Sequence, residues 1–313
     1  MDRLLIWGIG RFYDNFIAQY VINEKINVIG FVTGLETVCN FLDGIRIYKP
    51  DEIKEIEFDY IVIANQNNFN EIKRKIMFEC QISEEKCVNG KVFKHPCFNW
   101  ERYKRIRNEK PSIIAEACYG GYIYHQLGLQ FYSPFINTRI FERDYLRMID
   151  NLDHYLRQDI HIIRNMQYAK DMQAHIDQTG ISWGKMGYPI VGLGDIELHA
   201  IHTSDINDYI EEWNRRVQRI NRENIWVLMI IENDEMAEKF SRIPVKNKVG
   251  FFYKKTDCKN IVSLNDWGNF SSRLNYIHDF ISYVHHLFYD EHTLRSIDIF
   301  KLFCGEQDFI RIS

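Results

Sequence analysis

The stretch Gly192-Leu-Gly-Asp-Ile-Glu-Leu-His-Ala-Ile-His202 gathers two carboxylates and two imidazoles into one short run. Side chains alternate across a strand, so Asp195, Glu197 and His199 are expected on one face. Ile196, Leu198 and Ala200 then face the other way, into a core. Glycines at 192 and 194 suggest a close approach to the backbone. Three chemistries suit such a row. Asp195-x-Glu197 could hold Mg²⁺ or Mn²⁺ on a diphosphate, with waters completing the shell. His199 could act as a general acid–base, tuned by Glu197 or Asp195. His199, His202 and a carboxylate could take a softer metal, although the spacing matches no standard zinc motif. The plain alternative is a solvated sheet face.

Basic groups recur downstream. Ile206, Tyr209, Ile210, Trp213, Val217 and Ile220 follow a helical period, with Ser204 as the expected cap. Arg215, Arg216 and Arg219 fall late on that helix. Glu211–Arg215 and Glu212–Arg216 spacings allow ordinary surface pairs, and bases near a helix C-terminus complement its dipole. The functional alternative is a guanidinium clamp on phosphate or carboxylate, for which Arg216 is the best placed. Lys246 and Lys248 would balance substrate charge as well. Cys118-Tyr-Gly120-Gly121 reads as a strand-to-helix turn able to cradle an anion. A thiol there could be activated, but a buried inert cysteine is commoner, so the Gly-Gly backbone is the better contact. Gly8-x-Gly10 follows a short strand and opens a helix, the setting for a nucleotide phosphate. Tyr13 replaces the third glycine of that fingerprint, and Thr33 stands where an acid would hold the ribose.

The elements that must position these groups alternate strand and helix. Arg3–Trp7, Val28–Val32, residues 44–48, Tyr60–Ala64 and Val88 read as strands of a parallel sheet covered on both faces. Residues 98–111 read as a linker helix between a Rossmann-like domain (1–97) and a larger mixed α/β domain (112–313). In the latter, Ile113–Ala117, Ile160–Arg164, Asp195–Ala200, Trp226–Ile231 and Val249–Tyr253 are expected strands. Tyr122–Leu127, Glu142–Leu156 and Phe270–Tyr289 are expected helices. With 43 acids against 39 bases and a formal charge of -4, no basic field points to nucleic acid. Seven scattered cysteines without a CxxC argue against a disulfide framework or zinc ribbon and favour a reducing cytoplasm. No apolar run has the length of a membrane span.

Residues from about 112 to 265 resemble a bacterial domain of unknown function, number nineteen-nineteen, associated with exopolysaccharide biosynthesis. The resemblance is carried by Cys118-Tyr-Gly-Gly-Tyr-Ile-Tyr124, Leu127-Gly-Leu129, Ser133-Pro-Phe135 and Gly194-Asp-Ile-Glu-Leu-His199. It continues through His202, Trp213-Asn-Arg-Arg216, Arg219-Ile-Asn221 and Pro244-x-Lys-Asn-Lys248. Tyr119 departs from it, standing where the family pattern has tryptophan. Separately, Ile45–Ile53 and Phe58–Ala64 resemble small Rossmann-like modules attached to capsule and lipopolysaccharide enzymes. Neither family brings an established reaction; together they imply sugar nucleotides, phosphosugars or polysaccharide assembly. The expectation is therefore a glycosyl or phosphosugar transferase of surface-polysaccharide synthesis. In it Asp195 and Glu197 bind metal or act as base, and His199 and His202 transfer protons or hold phosphate. The rivals are a non-catalytic nucleotide- or sugar-binding regulator and a metal-dependent hydrolase.

Overall fold

The computed structural model describes residues 1–36, 39–65, 67–167, 188–203, 205–264 and 297–310. The expected cap Ser204 and the expected helix Phe270–Tyr289 lie outside these residues. The chain divides into two compact units, Met1–Lys104 with Gln126–Leu129, and Arg105–His125 with Gln130–Ser313.

The first unit is built on β1 (Arg3–Trp7), β2 (Asn27–Val32), β3 (Phe41–Leu42), β4 (Ile45–Tyr48), β5 (Tyr60–Ile63) and β6 (Cys87–Asn89). Their order is β3-β4-β2-β1-β5-β6, parallel except for the short β3. From β1 the chain runs outward through β2 to β4, then returns to lay β5 and β6 on the other side. β1 and β5 therefore flank a switch point at their carboxyl ends. Leu4, Leu5, Ile6, Ile61, Val62 and Ile63 are all buried, as apolar strands covered on both faces require. After β1 the chain makes a single π-helical stretch, Tyr13–Ile17, and then the short helix α1 (Ala18–Ile22). Its buried side chains are Tyr13, Ile17 and Tyr20; the expected stripe through Phe12 and Phe16 is rotated outward by the wider turn. Those two rings lie under the Lys94 ammonium, 5.8 and 5.1 Å away. Helix α2 (Phe69–Phe78) connects β5 to β6, and α3 (Trp100–Glu109) leads out of the unit.

The second unit contains a parallel sheet, β13-β12-β11-β7, from β7 (Ser112–Ala115), β11 (Ile225–Ile231), β12 (Asn247–Phe252) and β13 (Ile261–Ser263). An antiparallel sheet is formed by β8 (Ile160–Gln167), β9 (Tyr188–Leu193) and β10 (Ile196–His199). Helices α4 (Tyr119–Leu127), α5 (Glu142–Asp150), α6 (Leu152–Tyr155), α7 (Ile206–Val217), α8 (Asp234–Arg242) and α9 (Ile299–Phe303) complete the described elements. The predicted helix 142–156 is two helices, because Asn151 leaves helical geometry at φ -133 and ψ 49. α7 is capped by Asp205, whose carboxylate accepts from the Asn207 N–H at 2.8 Å. One core unites both sheets: Ile114, Val227, Met229 and Phe252 of the parallel sheet join Val191, Leu193, Ile196 and Leu198. Tyr145 of α5 pins the first sheet to this core, its hydroxyl lying 2.9 Å from the Ile114 carbonyl and 2.8 Å from that of Leu228.

Candidate functional site

Two acids follow directly on neighbouring strands. Glu116 comes just after β7 and Glu232 just after β11, and β7 pairs with β11. Open parallel sheets present ligands with the carboxyl ends of their strands. Glu116 is 1% exposed. Its oxygens accept from the Tyr119 hydroxyl at 2.6 Å and the Ile230 N–H at 3.1 Å. Burial pushes its carboxyl up to about 7, against the pull of the nearby Arg139 guanidinium. Arg139 bonds Glu142, the first residue of α5, at 2.5 Å, with both side chains mostly covered.

Glu142 and Glu232 share a hydrogen bond between carboxyl groups. Burial, then the bond and charge of Glu142, push Glu232 up to about 8. Glu142 is mostly covered, but Arg139 and then the bond to Glu232 outweigh that and hold it below the usual carboxylate range. Burial and mutual charge thus drive the two carboxyls in opposite directions. Two carboxyls driven apart in this way are the usual mark of an acid–base assignment.

The predicted row is distributed differently. Asp195 precedes β10, in the turn opened by Gly194 at φ +62, a conformation glycine adopts without strain. Its two oxygens accept from Arg147 and Tyr155, each at 2.7 Å, and the Tyr155 bond with the Arg147 charge lowers its pKa. Each oxygen keeps a further lone pair, and the side chain remains 67% exposed. Glu197 and His199 do share a face, with Ile196 and Leu198 in the core as the alternation requires. Glu197 is half exposed, whereas His199 is 1% exposed. The imidazole is walled by the edges of Phe141 and Tyr188, at 4.8 and 5.8 Å between ring centres. Among the described residues neither ring nitrogen has a hydrogen-bond partner, and the Glu197 carboxylate is 3.6 Å from Nε2. Burial first, then Arg139 and Arg164, lower this histidine to about 4, so it is neutral at physiological pH. His199 also exchanges both backbone hydrogen bonds with Arg139, at 2.8 and 2.9 Å, which anchors the segment carrying the acid cluster. His202 lies exposed just beyond. Among the described residues no group of three or more His, Cys, Asp or Glu side chains is arranged to hold a metal.

The basic residues separate into different tasks. Lys248 is buried, and its ammonium donates to the carbonyls of Phe240 and Ser241 at 2.8 Å and to that of Ile243. It closes the end of α8, where helix carbonyls lack partners, and has no donor left over for a substrate. Lys246 is exposed. Arg215 and Arg216 both pair with Glu212, at 2.5 and 2.7 Å. Arg219, half exposed, follows one turn later.

Gly120 and Gly121 are in the first turn of α4, so the expected cradle there is already helix. A Cβ on Gly120 would lie 3.2 Å from that of Ala115, so this glycine serves close packing of helix on strand. Cys118 is buried, which pushes its thiol up to about 12 and leaves it unsuited to nucleophilic attack. In the first unit Gly8 has φ +112, and a Cβ there would stand 3.1 Å from the Ala64 carbonyl oxygen. Gly10 has open space around it.

Sequence reasoning overlooked Glu116, Arg139, Glu142 and Glu232. A signal existed: Ile113-Ile-Ala-Glu116 and Met229-Ile-Ile-Glu232 each end an apolar strand in an acid. Burial favours no charge at such a position unless a partner waits there.

Comparison with known protein families matches residues 89–303 to the domain of unknown function DUF1919, and residues 1–88 to the family described as C2185-like, N-terminal. An uncharacterized protein of Haemophilus influenzae is 28% identical over 155 residues, covering 48% of this chain and 66% of that relative. The matched region thus spans just under two thirds of the relative's length.

Proposed function

We propose that this chain, which belongs to the DUF1919 family, is a group-transfer enzyme, a glycosyl or phosphosugar transferase of surface-polysaccharide synthesis. The observation that carries the reading is the Glu142–Glu232 pair beside the ends of two parallel strands, with Arg139 on Glu142; burial and Glu142 raise Glu232, while Arg139 holds Glu142 down. Transfer to a hydroxyl needs a base for the attacking oxygen and an acid for the leaving one. Glu142 supplies the first and Glu232 the second. Arg139, already in contact with Glu142, stabilises charge that develops between them. Glu116 and Tyr119 fix this arrangement from below, and His199 holds the Arg139 segment through its backbone. On this reading the substrates are a sugar nucleotide or phosphosugar met in the cytoplasm.

The test is turnover of a panel of UDP-, GDP- and CDP-sugars by the full chain, together with complementation of a capsule-deficient deletion strain. Glu142→Gln and Glu232→Gln should each lower turnover by about 100- to 10,000-fold, the usual worth of a positioned acid or base. Full activity in Glu232→Gln would sink the assignment.

A second reading makes the protein a nucleotide-binding regulator whose Rossmann-like first unit is the sensor. It is favoured by Gly8 and Gly10 at the carboxyl end of β1, on the switch point beside β5. It predicts thermal stabilisation by a nucleotide that Gly10→Val abolishes, with no sugar nucleotide consumed.

A further inference from the structure

The segment 130–141 links α7 to the acid cluster. At one end, the Arg216 guanidinium lies over the Phe131 ring, 5.2 Å from its centre. Near the other, the Thr138 hydroxyl bonds that of Tyr209 at 2.8 Å, and Thr138 is followed by Arg139. Tyr209 and Arg216 are two turns apart on the same side of α7. The late face of α7 and the acid pair are therefore held by one stretch of chain.

On that face and in the turn that follows it, charge is out of balance. Arg215 and Arg216 both bond the single carboxylate of Glu212, and Arg219 adds to the positive field on it. Arg219 makes no ion pair among the described residues, so three guanidiniums face one acid. Arg216 is 12% exposed, and its buried Nε has no hydrogen-bond partner among the described residues. The helix dipole rewards a base near the C-terminus with about 0.3–1 kcal/mol. That accounts for bases at this end of α7. It does not account for a covered guanidinium with an idle N–H, nor for crowding three like charges.

We propose that Arg215, Arg216 and Arg219 form a seat for a phosphate or diphosphate ester, the charged end of the group donor. The inference rests on the transferase reading for the word donor, and on the arginines alone for the anion. Guanidinium forks match phosphate oxygens in pairs, and an anion between them relieves their mutual repulsion. Phe131 backs the Arg216 plane and keeps it from turning away.

The test is calorimetric titration of the full chain with inorganic pyrophosphate, then with glucose 1-phosphate and with UDP. Arg216→Gln and Arg219→Gln should each weaken pyrophosphate by about 10- to 100-fold, the worth of one charge-assisted hydrogen bond. Glu212→Gln should tighten it, because the competing carboxylate is gone; a merely structural salt bridge predicts no such gain. Arg242→Gln, which removes a surface partner of Glu238 on α8, should leave affinity unchanged. UDP binding above glucose 1-phosphate assigns the seat to a nucleoside diphosphate, and the reverse order to a phosphosugar. Wild-type protein that ignores pyrophosphate, or Arg219→Gln protein that binds it equally well, overturns the proposal. Glu232→Gln protein should bind pyrophosphate normally, so loss of the acid–base reading and loss of the anion seat are seen separately.

Discussion

At the scale of single residues, the acid cluster ties stability to pH. Glu232 is raised to about 8 and Glu116 to about 7, both first of all by burial. A carboxyl raised on folding binds its proton more tightly in the native chain than in the unfolded one. Its effect is harmless below the ordinary carboxylate range, and stability then falls as pH rises, until the native group itself ionises. The chain should therefore lose thermal stability between about pH 5 and pH 8. Glu232→Gln, neutral at every pH, should flatten a large part of that slope and raise the melting temperature at pH 8. Melting curves across this range decide the matter; an unchanged slope in the variant would mean that Glu232 is not protonated in the native state. Much at this scale was legible only halfway. Alternation correctly assigned Ile196 and Leu198 to the core and Glu197 and His199 to the opposite face. It was silent on what covers that face, because burial of His199 comes from Phe141 and Tyr188, set beside it by tertiary contacts. Asp195 was read into the strand, but the positive φ of Gly194 turns the chain there instead.

At the scale of elements, the same residue type takes unlike roles according to where its helix or strand ends. Lys248 is a case in which a basic residue that fits a substrate-binding pattern is consumed by the fold. Its three carbonyl partners belong to the last turn of α8 and the residue beyond it. Lys248→Met keeps the aliphatic stem and removes the donors, so it should cost about 1–3 kcal/mol in denaturant unfolding. Lys246→Met, on an exposed side chain of the same strand approach, should cost almost nothing. Equal effects of the two would contradict the capping role. The glycines divide in a parallel way. Gly8→Ala combines a φ of +112 with a contact to the Ala64 oxygen, and should destabilise the first unit by about 1–3 kcal/mol. Gly10→Ala meets nothing and should be close to neutral, which keeps substitutions at this position clean probes of ligand binding. Strand existence and order of appearance could be read from runs such as Tyr60–Ile63 and Ile225–Ile231. The break at Asn151 and the π turn at Tyr13 could not, since both satisfy the same apolar spacing as an unbroken helix.

At the scale of the whole molecule, the two family matches meet near residue 88, while the compact units divide at Lys104, inside α3. The difference has a physical source in the aromatic residues between them. Phe93 and Phe98 lie 4.2 Å apart, Tyr20 reaches both, and Tyr60 and Trp100 meet at 5.4 Å. The Trp100 indole N–H donates to Asp2 at 2.7 Å, and Lys104 pairs with the same carboxylate. The first turns of α3 therefore finish the core of the first unit, though an aromatic and basic stretch ahead of Pro111 reads as a linker. A fragment of residues 1–109 should then unfold in one cooperative transition. A fragment of residues 1–97 lacks Trp100 and Tyr103, each almost wholly buried, and loses the partner of Asp2. Deleting one buried aromatic side chain costs about 3–5 kcal/mol, a large share of what a small domain has to spare. The shorter fragment should accordingly be unfolded or marginal at 25 °C, while the longer one, followed by Trp100 fluorescence, unfolds at a distinctly higher denaturant concentration. Two fragments of equal stability would mean that the unit closes before α3 and that the aromatic cluster only decorates it.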